Sequence, residues 1–312
     1  MTPGLPSGSQ DDTLVVMNAA SDRASEPASE SASDRASDRA SGRDTGRLRF
    51  FGSADGDLAY LDAGAGDLVV LLHAGFVDHR LFDAQIPTLA ARHRVIAPDV
   101  RGHGFSANAT EPFRWADDLA ALLRHLDAGP AVLVGLSMGG AIATDTVLEH
   151  PDLVRAVVAC GAATSEFQYT DPWYREILAE YARTMAAGDI EGWLAAFLRV
   201  VPGAHRRVED MDPAVLRRLR EMALHTLSKH SPGEPNLHTP MTDTWSRVPK
   251  IDVPVLAVNG SLEPDDLLAA AGRLADTVPD GRSVVIEGAG HYTNLEQPER
   301  FNEILLDFLD AL

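Results

Sequence analysis

Residues 131–150 read AVLVGLSMGGAIATDTVLEH, and this stretch decides the fold class. It opens on a short apolar run, which is typical of a strand covered on both faces of a sheet. It ends on a helical segment, and GLSMG at 135–139 joins the two. A glycine two positions either side of Ser137 permits a tight, strained turn that displays the hydroxyl above a helix N-terminus. This context makes Ser137 the predicted nucleophile, with an ordinary strand–helix turn as the alternative.

The same alternation of strands and helices runs outward from this stretch in both directions. Apolar runs predict strands at 68–73, 95–98, 154–160, 255–259 and 283–287, after an initial hairpin at 47–51 and 58–62. Helices are predicted at 81–91, 115–126, 138–150, 267–277 and 299–312. Because such alternation requires right-handed crossovers, the sequence predicts an α/β fold with a mostly parallel, doubly wound sheet.

One segment interrupts the alternation. Residues 164–245 contain helix-like stretches at 173–187, 190–200 and 213–229, and no convincing strand. A loop rich in proline and polar residues, at 231–240, leads back to the sheet. We therefore predict a helical cap at 164–245, inserted after the sixth strand. The core domain then consists of residues 47–163 and 246–312.

Residues 1–46 differ in kind from the rest. They contain a loose repeat of alanine, serine, aspartate and arginine, which cannot bury enough apolar surface to offset the entropy of ordering. The sequence predicts a disordered, low-complexity tail. A dispensable extension, or a start placed too early because Met17 lies downstream, is the plain interpretation, and a docking segment is the alternative.

Composition narrows the classes of partner. The 312 residues carry a formal net charge of -19, which argues against binding to nucleic acid or to anionic membranes. No apolar run approaches the ~20 residues of a membrane span, and no signal peptide is evident, so we expect a cytoplasmic protein. Cys160 is the single cysteine, so no intrachain disulfide can form. No phosphate-binding loop or metal-ligand cluster is found, so we expect a small-molecule substrate, no metal and no cofactor.

A second chemistry-bearing motif lies near the C-terminus. GAGH at 288–291 follows an apolar strand and precedes the last helix. A histidine on such a glycine-rich loop can reach over the edge of the sheet. Because a serine hydroxyl is protonated at neutral pH, it needs a base of this kind. His291 is therefore the predicted base.

A third motif, HAGF at 73–76, follows the apolar strand 68–72. A loop at this place supplies one backbone N–H of an oxyanion hole, and the N–H that follows the nucleophile supplies the other. We predict Gly75 and Met138 as these donors, with Phe76 as the alternative to Gly75. His73 is expected to organise its own loop.

Together these motifs resemble the α/β-hydrolase superfamily, in the capped branch that includes esterases, enol-lactonases, C–C bond hydrolases, haloalkane and epoxide enzymes and cofactor-free haloperoxidases. The resemblance covers nearly all of residues 47–312. It is carried by LLHAGF at 71–76, DVRGHGFS at 99–106, GLSMGG at 135–140 and GAGHYTNLEQP at 288–298. It implies a sheet of the α/β-hydrolase type and a catalytic triad. The chain departs from the common pattern in having Ala74 between His73 and Gly75.

The third member of the triad is predicted from the resemblance. The acid arrives between the serine and the histidine in chain order, on the loop after the penultimate strand. Relatives usually carry an aspartate there, and this chain has Glu263 at that position. Asp265 and Asp266 are the alternatives, although acids at the start of a helix more often complement its N-terminus.

The expected reaction is hydrolysis of an ester or lactone through an acyl-enzyme on Ser137. A serine nucleophile argues against dehalogenase and epoxide hydrolase chemistry, whereas C–C hydrolysis and perhydrolysis use the same residues and stay open. A ligand receptor of the same fold, with a slow or vestigial triad, is the alternative from another class. The cap should enclose an apolar pocket, which favours small to medium substrates. Its predicted lining residues are Phe76, Trp173, Trp193 and Phe197, and the oligomeric state is left open.

Overall fold

The computed structural model describes residues 46–231 and 234–312. The tail predicted at 1–46 therefore lies outside the described residues, apart from its last position. The described chain forms eight strands: β1 (Arg47–Ser53), β2 (Gly56–Gly64), β3 (Leu68–Leu72), β4 (Arg94–Pro98), β5 (Ala131–Leu136), β6 (Val154–Cys160), β7 (Val255–Gly260) and β8 (Gly281–Ile286).

These strands form one twisted sheet in the order β1-β2-β4-β3-β5-β6-β7-β8. The β1–β2 and β2–β4 pairs are antiparallel, and the β3–β4 pair and every later pair are parallel. The carboxyl ends of β3 to β8 consequently meet at one edge of the sheet. The predicted α/β class with a mostly parallel, doubly wound sheet is confirmed.

The helices of the described chain are α1 (Ile86–Ala90), α2 (Trp115–Leu126), α3 (Met138–Glu149), α4 (Pro172–Ala186), α5 (Ile190–Val200), α6 (Pro213–Ser228), α7 (Thr244–Arg247), α8 (Asp265–Thr277), α9 (Thr293–Glu296) and α10 (Pro298–Asp310). None of them has both the length and the apolar character that a membrane span requires.

One predicted helix is wrong in its extent. The segment 81–91 is a 3-10 turn, His79–Phe82, followed by the separate short helix α1. Asp78 begins the turn, since its side chain accepts a hydrogen bond from the backbone N–H of Arg80 at 3.1 Å. Proline stands in the first turn of α1, where its missing N–H costs nothing, so the chain starts a new helix there.

The core explains why the central strands read as unbroken apolar runs. In β3, Val69 and Leu71 belong to the apolar cluster on one face of the sheet, whereas Val70 and Leu72 belong to the cluster on the other. Successive strand residues point to opposite faces, so a strand between two helical layers needs apolar residues at every position. All four are at most 1% exposed, and each contributes roughly 1.5–3 kcal/mol of burial free energy.

Between β6 and β7 the described chain forms helices α4, α5, α6 and α7 and no strand. Buried residues of α4, α5 and α6 belong to the same apolar cluster as one face of the sheet. This segment therefore packs directly on the core. The assignment of residues 164–245 as a separate cap domain stays a prediction.

Candidate active site

Ser137 occupies a strained turn between β5 and α3. Its φ is 55° and its ψ is -116°, which is uncommon for a residue other than glycine. A Cβ on Gly135 would overlap the carbonyl oxygen of Gly139, and a Cβ on Gly139 would overlap that of Leu72. The backbone N–H of Ser137 also donates to the Cys160 carbonyl at 2.7 Å. The two glycines of the motif are thus sterically required by the turn that presents the serine.

His291 and Glu263 form a buried pair on the loops after β8 and β7. His291 Nδ1 lies 2.7 Å from Glu263 Oε1, so the ring donates its proton to this carboxylate. The two residues are 4% and 1% exposed. Burial lowers the pKa of His291, but the charge of Glu263 and its hydrogen bond outweigh burial and hold that pKa above the ordinary value of 6.5.

The alternative acids lie elsewhere. Asp266 Oδ2 accepts hydrogen bonds from the backbone N–H groups of Thr170 and Asp171, at 2.6 and 2.8 Å. Asp265 is exposed in the first turn of α8. Both acids therefore act at a helix N-terminus, and of the three predicted candidates only Glu263 contacts the histidine.

Backbone hydrogen bonds from the end of α5 fix both loops. The N–H of His291 donates to the Val201 carbonyl at 3.1 Å, and the N–H of Ala204 donates to the Leu262 carbonyl at 2.8 Å. The two loops also bind one another, since the N–H of Leu262 donates to Ala289 at 3.0 Å. The positions of Glu263 and His291 thus depend on the segment inserted after β6.

Gly161, which the sequence reasoning did not single out, makes room for this pair. It directly follows β6 and has a φ of 56°. A Cβ there would lie 3.1 Å from both Glu263 Oε1 and His291 Cε1. A glycine that ends an apolar strand beside the nucleophile strand was the available signal.

A cavity of about 210 Å³ opens at the carboxyl edge of the sheet. Ser137, His291, Met138 and Gly75 all line it, so the structure brings together four of the predicted site residues. Among the described hydrogen bonds, none joins Ser137 Oγ to His291. Catalytic hydrogen bonds are often long in unliganded enzymes and shorten when substrate binds, so the shared cavity is the relevant geometry.

The aromatic lining differs in part from the sequence prediction. Phe76 and Phe197 line the cavity, as predicted, together with Tyr174, Tyr181 and Tyr292. Trp193 and Trp173 are not among the lining residues, so the prediction for these two is wrong for this cavity. Trp193 is fully buried behind the lining, with its ring 4.7 Å from Phe76 and 5.5 Å from Phe197. It supports the aromatic wall from the core side.

His73 organises its own loop, as predicted. Its Nδ1 donates to the Ala74 carbonyl at 2.8 Å, and its Nε2 accepts from the backbone N–H of Val100 at 3.0 Å. Burial lowers the pKa of His73, so the ring stays neutral and can fill both roles. The imidazole thereby ties the loop after β3, which carries Gly75, to the loop after β4.

A buried cluster of Asp78, His79 and Asp99 has the composition of a metal site. Each member already has a structural partner. Asp78 pairs with Arg80 at 2.6 Å, and Asp99 accepts from the His79 ring at 2.8 Å and from the Phe105 N–H at 2.8 Å. The cluster therefore serves to hold the loops after β3 and β4 together.

The far end of the cavity contains polar residues that the sequence reasoning missed. Asp145 of α3 and Thr164 of the loop after β6 both line it, and they are 7% and 2% exposed. His238, on the loop that returns from α6, also lines it and stacks on Trp115 with ring centroids 4.1 Å apart. Burial lowers the pKa of His238 to about 4, so this imidazole is neutral.

The sequence of this chain is similar to those of known hydrolases. A family model described as the α/β-hydrolase fold matches residues 67–298. The 2-(acetamidomethylene)succinate hydrolase of Mesorhizobium japonicum is 29% identical over 263 residues, which cover 80% of this chain and 90% of that protein. The pimeloyl-acyl-carrier-protein methyl ester esterase of Xanthomonas campestris pv. campestris is 31% identical over 265 residues, which cover 80% of this chain and 97% of that protein.

A solved structure is similar over the same region. It is that of Est816, described as an N-acyl homoserine lactone degrading enzyme, and it is 26% identical with a TM-score of 0.68. The match covers 83% of this chain and 100% of that one. The similarity in sequence and in structure thus extends through the sheet and through the segment that follows β6.

Proposed function

Since this chain belongs to the α/β-hydrolase family and is a hydrolase, we propose that it cleaves an ester or lactone of small to medium, largely apolar substrates through an acyl-enzyme on Ser137. One observation carries the proposal. A strained, outward-facing serine lines the same cavity as a histidine whose Nδ1 is bound to a buried glutamate.

The proposed mechanism assigns a role to each of these groups. His291 Nε2 takes the proton of the Ser137 hydroxyl as Oγ attacks the acyl carbon, and then returns it to the leaving alcohol. Glu263 holds the Nδ1–H tautomer and stabilises the imidazolium that forms. Water then attacks the acyl-enzyme with His291 again as base, which releases the acid and restores the serine.

Two backbone N–H groups would bind the developing oxyanion. Met138 begins α3 and lines the cavity, so its N–H has no acceptor within the helix and suits the oxyanion. The sequence predicts Gly75 as the second donor, with Phe76 as the alternative, and both line the cavity. Phe76 has a φ of 65°, and because such strain at a non-glycine residue often orients a group for function, we propose Phe76 as the donor over Gly75.

The cavity supports the substrate class. Its size and its aromatic wall suit an acyl group or ring rather than a polymer. We propose that the helices at 164–245 act as a cap, because Tyr174, Tyr181 and Phe197 of this segment form that wall. The names of the two relatives and of Est816 refer to a hydrolase, an ester and a lactone, which agrees with the proposed reaction.

Covalent labelling tests the nucleophile. A serine-directed phosphonate should add one adduct to the intact mass of the wild type and none to Ser137→Ala. Hydrolysis of short nitrophenyl esters should be lost in the same variant. Labelling that persists in Ser137→Ala would contradict the assignment of Ser137 as the nucleophile. Labelling without ester turnover in the wild type would favour a ligand receptor.

A further inference from the structure

The cavity extends away from Ser137 along one face of α3. Met138, Ala141, Ile142 and Asp145 line it, and their spacing of three and four residues places them on the same side of the helix. At the helical rise, the Cα of Asp145 lies about 12 Å along the axis from that of Ser137. A substrate whose acyl carbon meets Ser137 can therefore reach Asp145 with its far end.

Asp145 is a buried carboxyl on this otherwise apolar face. Its Oδ1 has no hydrogen-bond partner among the described residues. The same is true of Thr164 Oγ1, on the loop after β6. Ser165, the neighbour of Thr164, lies close enough to the Asp145 carboxyl to oppose the rise of its pKa, so the loop and the helix meet here. A buried polar atom without a partner destabilises the fold, and a bound ligand can supply the missing hydrogen bond.

The surrounding charges indicate which ligand group would fit. Burial raises the pKa of Asp145 to about 7, with Ser165 opposing the shift and the charges of Glu149 and Glu166 adding to it. Arg114 also lines the cavity, but it is paired with Asp117 at 2.8 Å and with Glu149 at 3.2 Å. Near neutral pH the Asp145 carboxyl can therefore donate or accept a hydrogen bond, as can the Thr164 hydroxyl. These acids disfavour an anionic ligand group.

We propose that Asp145 and Thr164 are specificity-determining residues that bind an uncharged hydrogen-bonding group, a hydroxyl or an amide, at the end of the substrate remote from the scissile bond. The proposal rests on the proposed function, because it assumes that the acyl carbon meets Ser137. It narrows the substrate to esters or lactones with an apolar middle and a polar far end.

Matched pairs of nitrophenyl esters test this selectivity. Each pair has the same acyl length, from butanoyl to dodecanoyl, and ends in a hydroxymethyl or a methyl group. At the length that reaches Asp145, kcat/KM should favour the hydroxyl ester by about 10-fold, mainly through KM. Asp145→Leu and Thr164→Val should abolish the preference while keeping turnover of the methyl ester.

The neighbouring residue supplies the control. Thr146→Val alters a buried threonine that does not line the cavity and whose hydroxyl donates to the Ile142 carbonyl at 2.7 Å. This variant should keep the wild-type preference. Asp145→Asn retains a donor and an acceptor and should keep it as well, which separates loss of recognition from loss of folding.

The outcomes separate the two proposals. Equal kcat/KM within every pair, in a wild type that hydrolyses both esters, overturns the inference and leaves the proposed function intact. A preference for an ammonium or carboxylate end group overturns the proposal that the bound group is uncharged. If no ester is hydrolysed, the proposed function fails, and calorimetry of matched hydroxyalkyl and alkyl amides with Ser137→Ala still decides the inference. Tighter binding of the hydroxyl member supports it, and equal binding overturns it.

Discussion

Two buried carboxyls lie near opposite ends of the cavity, Glu263 behind His291 and Asp145 in the lining, and they have opposite environments. Glu263 is bound to the imidazole of His291, and its loop is fixed by backbone hydrogen bonds. Asp145 has acidic neighbours and one oxygen with no partner among the described residues. Burial of an ionised carboxyl is costly without a compensating group. The first carboxyl therefore already has its partner in the protein, and the second suits a ligand that supplies what the protein lacks.

The largest expected effect is at the Glu263 end. Glu263→Gln keeps the size of the side chain but removes the charge that stabilises the imidazolium, and it can favour the wrong tautomer. By analogy with the aspartate of a serine protease triad, kcat should fall by about 10³–10⁴-fold. Steady-state kinetics on a nitrophenyl ester measure it, with circular dichroism to show an intact fold.

The matched control is Asp265→Asn, which removes a charge two residues away in the exposed first turn of α8. It should leave kcat within about two-fold, because a screened surface charge contributes little. Equal effects of the two substitutions would remove Glu263 from the triad.

A smaller loss is expected from crowding the same end. Gly161→Ala places a methyl group 3.1 Å from Glu263 Oε1 and His291 Cε1 at a positive φ. The pair must shift by a few tenths of an ångström, and misplacement of this kind can lower kcat/KM by up to about 100-fold. Gly272→Ala is the control, because nothing lies within 4 Å of a Cβ there. That helical substitution should leave kcat/KM unchanged and raise the melting temperature slightly.

The residues of the proposed triad leave a signal in the sequence because they must stand at fixed places in the fold. Ser137 needs glycines two positions away, and His291 and Glu263 must follow particular strands, so each leaves a local pattern. Gly161 leaves only a weak one, a glycine after an apolar strand, because its role is set by two loops that are more than 100 residues away in the sequence. Its glycine is explained only when β6, β7 and β8 are seen side by side.

The far end could not be predicted for a related reason. A buried helix face and a cavity-lining face have the same apolar period, so the pattern cannot tell Trp193, which packs in the core, from Phe197, which lines the cavity. Asp145 was visible as an acid on the apolar face of α3, seven residues after Met138. Without the tertiary structure, that acid cannot be distinguished from one that reaches solvent.

A third experiment measures how the stability of the fold depends on the ionisation of Asp145. The pKa of Asp145 is raised from 3.8 to about 7, so between these values the folded state binds more protons than the unfolded state. Ionisation of Asp145 therefore destabilises the fold as pH rises through this window. Asp145→Asn removes this dependence, and its stability relative to wild type should increase between pH 4 and 7, by on the order of 3–4 kcal/mol. Urea unfolding at several pH values measures it, and a constant difference would show that the carboxyl is not buried as described.

The smallest effect concerns the pH dependence of catalysis. His291 must be neutral to act as base. Burial lowers the pKa of His291, but the charge and hydrogen bond of Glu263 and the charge of Glu296 outweigh burial and hold this pKa above its ordinary value of 6.5. Activity should therefore be lost as pH falls through a value above 6.5. Glu296→Gln removes one of these negative charges and leaves Arg206, its ion-pair partner, uncompensated, and both changes lower the pKa of His291. The acid limb of kcat/KM should consequently move to lower pH.

Glu287→Gln is the control, since Glu287 is exposed on the loop after β8 that carries His291 and does not contribute to the pKa of His291. A limb that moves to higher pH in Glu296→Gln, or one that moves equally in both variants, would contradict the assignment of His291 as the titrating base.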